Sequence, residues 1–467
     1  MDMFVVEGGR PLRGTVRISG SKNACLPLMC AALLTDQPTT IENVPNLRDI
    51  RSMMDLLDHL NVRVVLKNGR MFIDPSNFDT AWVPYDTMRK MRASMYAFGP
   101  MIARLRRAAV SRPGGCNIGA RPIDLHLRGF SALGAQIEER QGYIHALHHG
   151  VTGAEFDLSG PYGPSVGASC NVLMASVFAK GHTVIHNAAR EPEVQELANF
   201  LNAMGAKIEG IGSNKLEVEG VEKLSATKWR VQPDRIEAAT FAVAALITDG
   251  DLVLQNVTPE YMGATLKALR DWGAEVDMPD SDSLRVRRKE GCAGNPLQLR
   301  SAPYPCLPTD VQPQFVALLG LTRGFSTFEE SIYPDRFMHL EELNRLGGRT
   351  LRRGSMAAIQ GVERYEGAAV MASDLRAGAA LTLAALAANG ESQIRRVYHI
   401  DRGYERFEQK LASVGGLIRR THEQEFDPGL TTVKETFSSE SETPSDTAIA
   451  DSATPRRKSS AEIETSF

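Results

Sequence analysis

The chain has 467 residues, 43% hydrophobic and 23% charged, with a formal net charge of -3; that length exceeds what one hydrophobic core usually serves, so two domains are expected. From Glu423 onward ten acidic and four basic residues make a tail of -6, which leaves a mildly positive body suited to a small anionic ligand. Basic residues scattered without interleaved aromatics exclude a nucleic-acid binder, and neither a secretory signal at MDMFVVEGGRPLRG nor an apolar run long enough to span a membrane is present.

Along the chain one pattern returns: a helix-period segment, a small-residue turn, then a short alternating strand. Its turns fall at Asn61, Gly134, Gly205, Gly273, Gly347 and Gly415, spaced by 73, 71, 68, 74 and 68 residues. A second helix, richer in Ala, Leu and Met, recurs in phase, with copies from Ser21, Met91, Ser165, Arg235, Thr309 and Asp374. Such low charge is expected of a buried helix. Short β-branched runs such as TVIHNAA, DLVLQNV and FSTFEES lie between them. Six α/β units of about seventy residues are too large for a thin solenoid of short repeats. They are read as two domains of three units, 22–234 and 1–21 plus 235–420, with 421–467 a disordered Ser/Thr-rich acidic tail.

Within the second unit, RPGGCNIGARPIDLHL (112–127) has neither helical nor strand period. Gly114, Gly115 and Gly119 permit close ligand approach, Arg112 and Arg121 are able to grip a phosphate or carboxylate, and Cys116 sits among cations that favour its thiolate. The stretch reads either as a surface loop with an incidental thiol or as a mobile ligand loop over about 112–122. The other cysteines, Cys25, Cys30, Cys170, Cys292 and Cys306, form no CxxC pair. Reduced thiols in a cytoplasmic protein are expected, with no metal and no cofactor.

The first turn of each buried helix offers free N–H groups and a partial positive charge. Lys22 and Asn23, Arg92, Ser165 to Gly167, Arg235, Asp310 and Arg376 fall at these starts, and Arg48, Arg121 with Asp124, Arg190, Arg336 and Arg402 at those of the other set. Asp310 and Asp374 also suit helix capping, and Arg336 or Arg402 also read as solvated surface residues. Recurring cations at such ends cost about 0.3 to 1 kcal/mol each. An anionic ligand with more than one phosphate or carboxylate would offset them.

GSKNA, MRASMYAFGP, GGCNIGARPIDLH, SVGA, NAAREPE, PDRIEAATF, PTDVQPQF, DRFMH, SDLRAGAAL and HIDRGYE, in this order, resemble the enolpyruvyl transferases, and specifically their UDP-sugar branch. The resemblance covers residues 1 to about 420. It implies an inside-out α/β barrel of two similar domains, each three repeats of a βαβαββ-type unit. It also implies transfer of the enolpyruvyl group of phosphoenolpyruvate to the 3-hydroxyl of UDP-N-acetylglucosamine with release of phosphate, the first committed step of peptidoglycan precursor synthesis.

By that resemblance Cys116 would donate a proton and be the target of fosfomycin, and Asp310 would act as base. Lys22, Arg121 and Arg402 would bind phosphoenolpyruvate with Arg336 and Arg376 nearby. Asn23 and Ile332 would position the acetylglucosamine; Arg92, Arg121, Pro122, Ile123, Asp124, Leu125, His126, Ser165, Val166 and Gly167 would take the uridine and diphosphate. Tyr162, Gly163 and Pro164 stand where some members carry a lysine toward the nucleotide, and Asn117 where a small apolar residue is commoner. Three other readings remain open. The acceptor would be shikimate 3-phosphate, which the cysteine loop disfavours, or a uridine nucleotide; or the chain would be a silent UDP-sugar-binding paralogue whose tail contacts a protein partner.

Overall fold

Six four-stranded sheets repeat one order of pairing. In the first, Thr39–Glu42 runs parallel to Lys228–Arg230 and antiparallel to Arg70–Asp74, which pairs in turn with Arg63–Lys67. One parallel edge followed by two antiparallel pairings recurs around Arg107–Ser111, His182–His186, Asp251–Gln255, Phe325–Glu330 and Glu391–Arg395. The computed structural model describes residues 1–114 and 122–422, all within the compact unit Met1–Gln424. Cys116, Asn117 and Arg121, and the tail from 423, lie outside the described residues.

The six turns expected from the repeat all adopt the left-handed backbone, with φ of 61° at Asn61 and between 84° and 116° at the five glycines. Only residues tolerant of positive φ end a helix this way and let the next strand fold back. Each turn follows an outer amphipathic helix. In Arg48–His59, for example, Ile50, Met53, Leu56 and Leu57 make the buried stripe.

The second helix set is mostly apolar and sits inside. Lys22–Ala31, Phe98–Leu105 and Val166–Ser176 belong to one hydrophobic core, which spans residues 24–231. Arg235–Ile247, Gln312–Leu319 and Leu375–Leu386 belong to another, drawn from residues 4–18 and 236–414. All twelve residues of Leu375–Leu386 are buried, six of them alanine or glycine, which lets neighbouring helices approach closely. With helices within and sheets outside, the fold is an inside-out α/β barrel of two similar domains built from βαβαββ units. Among the described residues no helix is long and apolar enough to cross a membrane.

The first two strands belong with the end of the chain: Asp2–Glu7 pairs with Glu391–Arg395 and Leu417–His422, and Arg13–Arg17 with Asp251–Gln255. The chain passes from one core to the other at two adjacent points. The Ser21 N–H donates to Gln232 O at 2.8 Å, and the Asp234 N–H to Ser19 O at 2.9 Å. Gly20 is required there, because a Cβ would stand 1.8 Å from Asn43 O.

Glu196 braces this crossing by accepting from Trp229 Nε1 at 3.0 Å and from the Gln232 N–H at 2.9 Å. Burial, opposed by these bonds, pushes its carboxyl up to about 7 from 4.5. A raised folded value means that its contribution is present below pH 4.5 and is lost as pH rises through 7. Urea unfolding across that window should therefore show wild type losing up to about 3 kcal/mol relative to Glu196→Gln. Parallel pH profiles for the two proteins would show that the slope arises elsewhere.

Candidate active site

The starts of four buried helices, and the 3-10 turns Arg92–Ala97 and Thr309–Val311 that lead into the other two, contribute to one cavity of ≈ 350 Å³. Lys22 and Asn23, Arg92, Ser165 to Gly167, Arg235, Thr309 with Asp310, and Leu375 with Arg376 line it. Helix and 3-10 starts therefore border a shared space, a setting that favours anions. The cap residues hold those ends in place: Ser165 Oγ accepts from the Ala168 N–H at 3.2 Å, and Asp374 Oδ1 from the Arg376 and Ala377 N–H groups at 2.9 and 3.1 Å.

Two carboxylates pair with four cations of the cavity. Asp310 Oδ1 lies 2.8 Å from Arg336 Nη1, and its Oδ2 lies 3.3 Å from Arg376 Nη2 and 3.5 Å from Asn23 Nδ2. Burial would raise the Asp310 carboxyl, but the Arg376 and Arg336 guanidiniums, with Lys22, hold it well below the usual carboxylate range. It stays ionised at any working pH. Asp49 takes Arg402 Nε at 2.8 Å and Lys22 Nζ at 3.4 Å.

The arginines keep donor capacity in reserve. Arg376 is 1% exposed, its guanidinium 5.1 Å from the Tyr404 ring centroid, and its Nε and Nη1 have no hydrogen-bond partner; neither has Arg336 Nε. Buried guanidinium N–H groups are seldom left unpaired, and an anion entering the cavity would satisfy them. Among the described residues no group of three or more His, Cys, Asp or Glu side chains is arranged to hold a metal ion.

Most of the residues expected from sequence line the cavity: Lys22, Asn23, Arg92, Pro122, Asp124, Leu125, His126, Ser165, Val166, Gly167, Asp310, Ile332, Arg336, Arg376 and Arg402. Arg92 Nη2 donates to Pro122 O at 2.9 Å, and the Asn171 amide meets His126 Nδ1 at 3.1 Å. Ile123 does not line the cavity: its apolar side chain is buried in the first core. Arg402 is not at a helix start either. It ends the 3-10 turn Val397–Arg402, where a cation is favoured by the dipole. Arg112 pairs with Glu139 through two bonds of 2.9 and 2.8 Å and is not among the cavity residues.

Sequence reasoning missed four acidic residues in and behind the cavity wall. Asp49 follows an arginine in an outer helix, and nothing in RDIRS shows that it meets Arg402, 353 positions away. Glu193 binds Arg235 through bonds of 3.0 and 3.2 Å, and Glu191 lines the cavity beside it. Glu330 ties together the loops at Thr309 and Ile332. In the stretch 162–164 that lacks the lysine, Gly163 has φ of 91°, and a Cβ would stand 2.9 Å from Pro303 Cγ. A side chain there would strain the contact between the loops holding Gly163 and Pro303.

The chain matches the EPSP synthase (3-phosphoshikimate 1-carboxyvinyltransferase) family over residues 6–411. It belongs to this family of enolpyruvyl transferases. Among curated relatives, UDP-N-acetylglucosamine 1-carboxyvinyltransferase 2 of Carboxydothermus hydrogenoformans is 46% identical over 420 residues, covering 90% of this chain and 99% of that protein. UDP-N-acetylglucosamine 1-carboxyvinyltransferase of Methylacidiphilum infernorum is 47% identical over 423 residues with the same coverage. Two solved structures share the fold. The enolpyruvyl transferase NikO from Streptomyces tendae superposes with a TM-score of 0.82 at 23% identity, over 91% of this chain and 99% of that one. EPSP synthase from Acinetobacter baumannii gives 0.70 at 18%, over 90% and 100%.

Proposed function

We propose that the protein transfers the enolpyruvyl group of phosphoenolpyruvate to the 3-hydroxyl of UDP-N-acetylglucosamine, releasing phosphate, and so begins peptidoglycan precursor synthesis in the cytoplasm. The observation that carries this reading is identity of 46 and 47% to two relatives bearing that activity in their names, over 99% of their length. The same reading divides the chain into domains 22–234 and 1–21 plus 235–420.

In this reaction the sugar 3-oxygen bonds to C2 of phosphoenolpyruvate while its proton passes to a base and another proton adds to C3. The C2–phosphate bond then breaks and C3 loses a proton, restoring the double bond. Asp310 is assigned as the base, supported by its ionised state at the cavity wall. Lys22 and Arg402 are assigned to the anionic substrate, with Arg336 and Arg376 beside it. Each is now engaged with Asp49 or Asp310, so phosphoenolpyruvate, with a phosphate and a carboxylate, would compete for them. Drawing the arginines from Asp310 would restore basicity to a carboxylate otherwise held too acidic. Cys116 as proton donor and Arg121 as substrate ligand complete the assignment.

A second acceptor, a free uridine nucleotide, is kept open by the absence of a lysine from Tyr162, Gly163 and Pro164. Phosphate release assayed with phosphoenolpyruvate and either acceptor separates the two. Release with UDP-N-acetylglucosamine is expected to exceed that with UMP by at least about tenfold, whereas release only with UMP would overturn the first reading.

A further inference from the structure

Glu330 lies outside the cavity lining, is 0% exposed, and uses both carboxylate oxygens inside the protein. Oε1 accepts from the Ile332 and Tyr333 N–H groups at 2.8 and 3.0 Å and from Ser301 Oγ at 2.7 Å. Oε2 accepts from Thr309 Oγ1 at 2.9 Å. A hydroxyl has one proton, so Thr309, donating to Glu330, turns its lone pairs outward. One of them accepts from Arg336 Nη1 at 3.1 Å, and that same nitrogen donates to Asp310 Oδ1 at 2.8 Å.

We infer that Glu330 is a positioning residue for the proposed transfer: through the Thr309 hydroxyl it fixes Arg336 against Asp310, and through two backbone N–H groups it fixes the Ile332 wall of the same cavity. This rests on the assignment of Asp310 as base. Glu330 acts only through these two arms, whose outer ends, Thr309 and Ile332, line the cavity. The arms are separable, because Thr309 serves only the first and the 332–333 backbone only the second. A carboxyl flanked by four donors suits this role because its oxygens accept from all of them, which fixes the orientation of the Thr309 hydroxyl. Glutamine in its place would offer an N–H₂ as well as a carbonyl. With the N–H₂ toward Thr309, the hydroxyl would be reversed and would compete with Arg336 as a donor.

Thr309→Val keeps the shape and removes the hydroxyl. It is expected to lower kcat at least about tenfold by loosening the Arg336–Asp310 geometry, with KM for both substrates within about threefold of wild type. Thr309→Ser, which restores the hydroxyl, is expected to recover most of that loss. General destabilisation would produce neither the kcat-against-KM split nor the rescue. The second arm is read without turnover: amide exchange over residues 330–333 should be at least about threefold faster in Glu330→Gln. Wild-type kcat in Thr309→Val, or unchanged exchange in Glu330→Gln, would overturn the inference. If the wild type turns over only another acceptor, the acceptor reading fails by itself, and the same variants are compared on that acceptor.

Discussion

Asp310→Asn is expected to lower kcat by at least about 10²-fold while the protein stays folded. The amide keeps the shape of the carboxyl and its place against Arg336, Arg376 and Asn23 but takes up no proton. It also removes the negative charge that the two buried guanidiniums face, so phosphate or phosphoenolpyruvate should bind as tightly as before or more tightly. Loss of turnover with retained affinity marks a group needed in the transition state rather than for ground-state binding. Near-normal kcat would return Asp310 to the role of a partner that holds the arginines in place.

The second large effect concerns Arg376. Its guanidinium is buried between Asp310 and the Tyr404 ring, and two of its nitrogens lack partners. Arg376→Met fills much of the same volume without charge or donors. Breaking one side of a buried ion pair costs about 3 to 5 kcal/mol, although Arg336 remains to compensate Asp310 and reduces this cost to stability. The larger loss is expected in kcat/KM for phosphoenolpyruvate, by at least about 10²-fold, because fixed cations facing developing charge act most strongly in a water-poor site. Arg376→Lys should recover only part of it, since a point charge cannot replace a planar fork of donors. Wild-type kcat/KM for phosphoenolpyruvate in Arg376→Met would exclude this arginine from substrate binding.

The repeat was legible because each copy must solve the same backbone problem. A helix that reverses into a strand needs positive φ, and glycine or asparagine marks that place six times at near-constant spacing. The buried helices were legible through their low charge, and Lys22, Asn23, Arg92, Ser165, Asp310 and Arg376 through their position at or beside the helix starts. What sequence does not carry is the pairing of distant charges. Asp49 and Arg402 meet because the helix Arg48–His59 packs against the turn Val397–Arg402, and no local pattern encodes that. Nor does it carry side-chain direction at a helix entry, which is why Ile123, read as a ligand contact, is found in the core. Arg402 shows a third limit: a short 3-10 turn reverses the end of the dipole that the cation meets. The stretch Tyr162, Gly163 and Pro164 reads from sequence as lacking a lysine, whereas the backbone shows why Gly163 within it carries no side chain: a positive φ and the proximity of Pro303.

Enolpyruvyl transfer to a UDP-sugar is the activity proposed for the cavity at the starts of the buried helices. Incubating the full chain with phosphoenolpyruvate and UDP-N-acetylglucosamine, with product identification by NMR, tests it most directly. The expected result is one enolpyruvyl ether at the sugar 3-oxygen for each phosphate released; phosphate released while the UDP-sugar is recovered unchanged would contradict it.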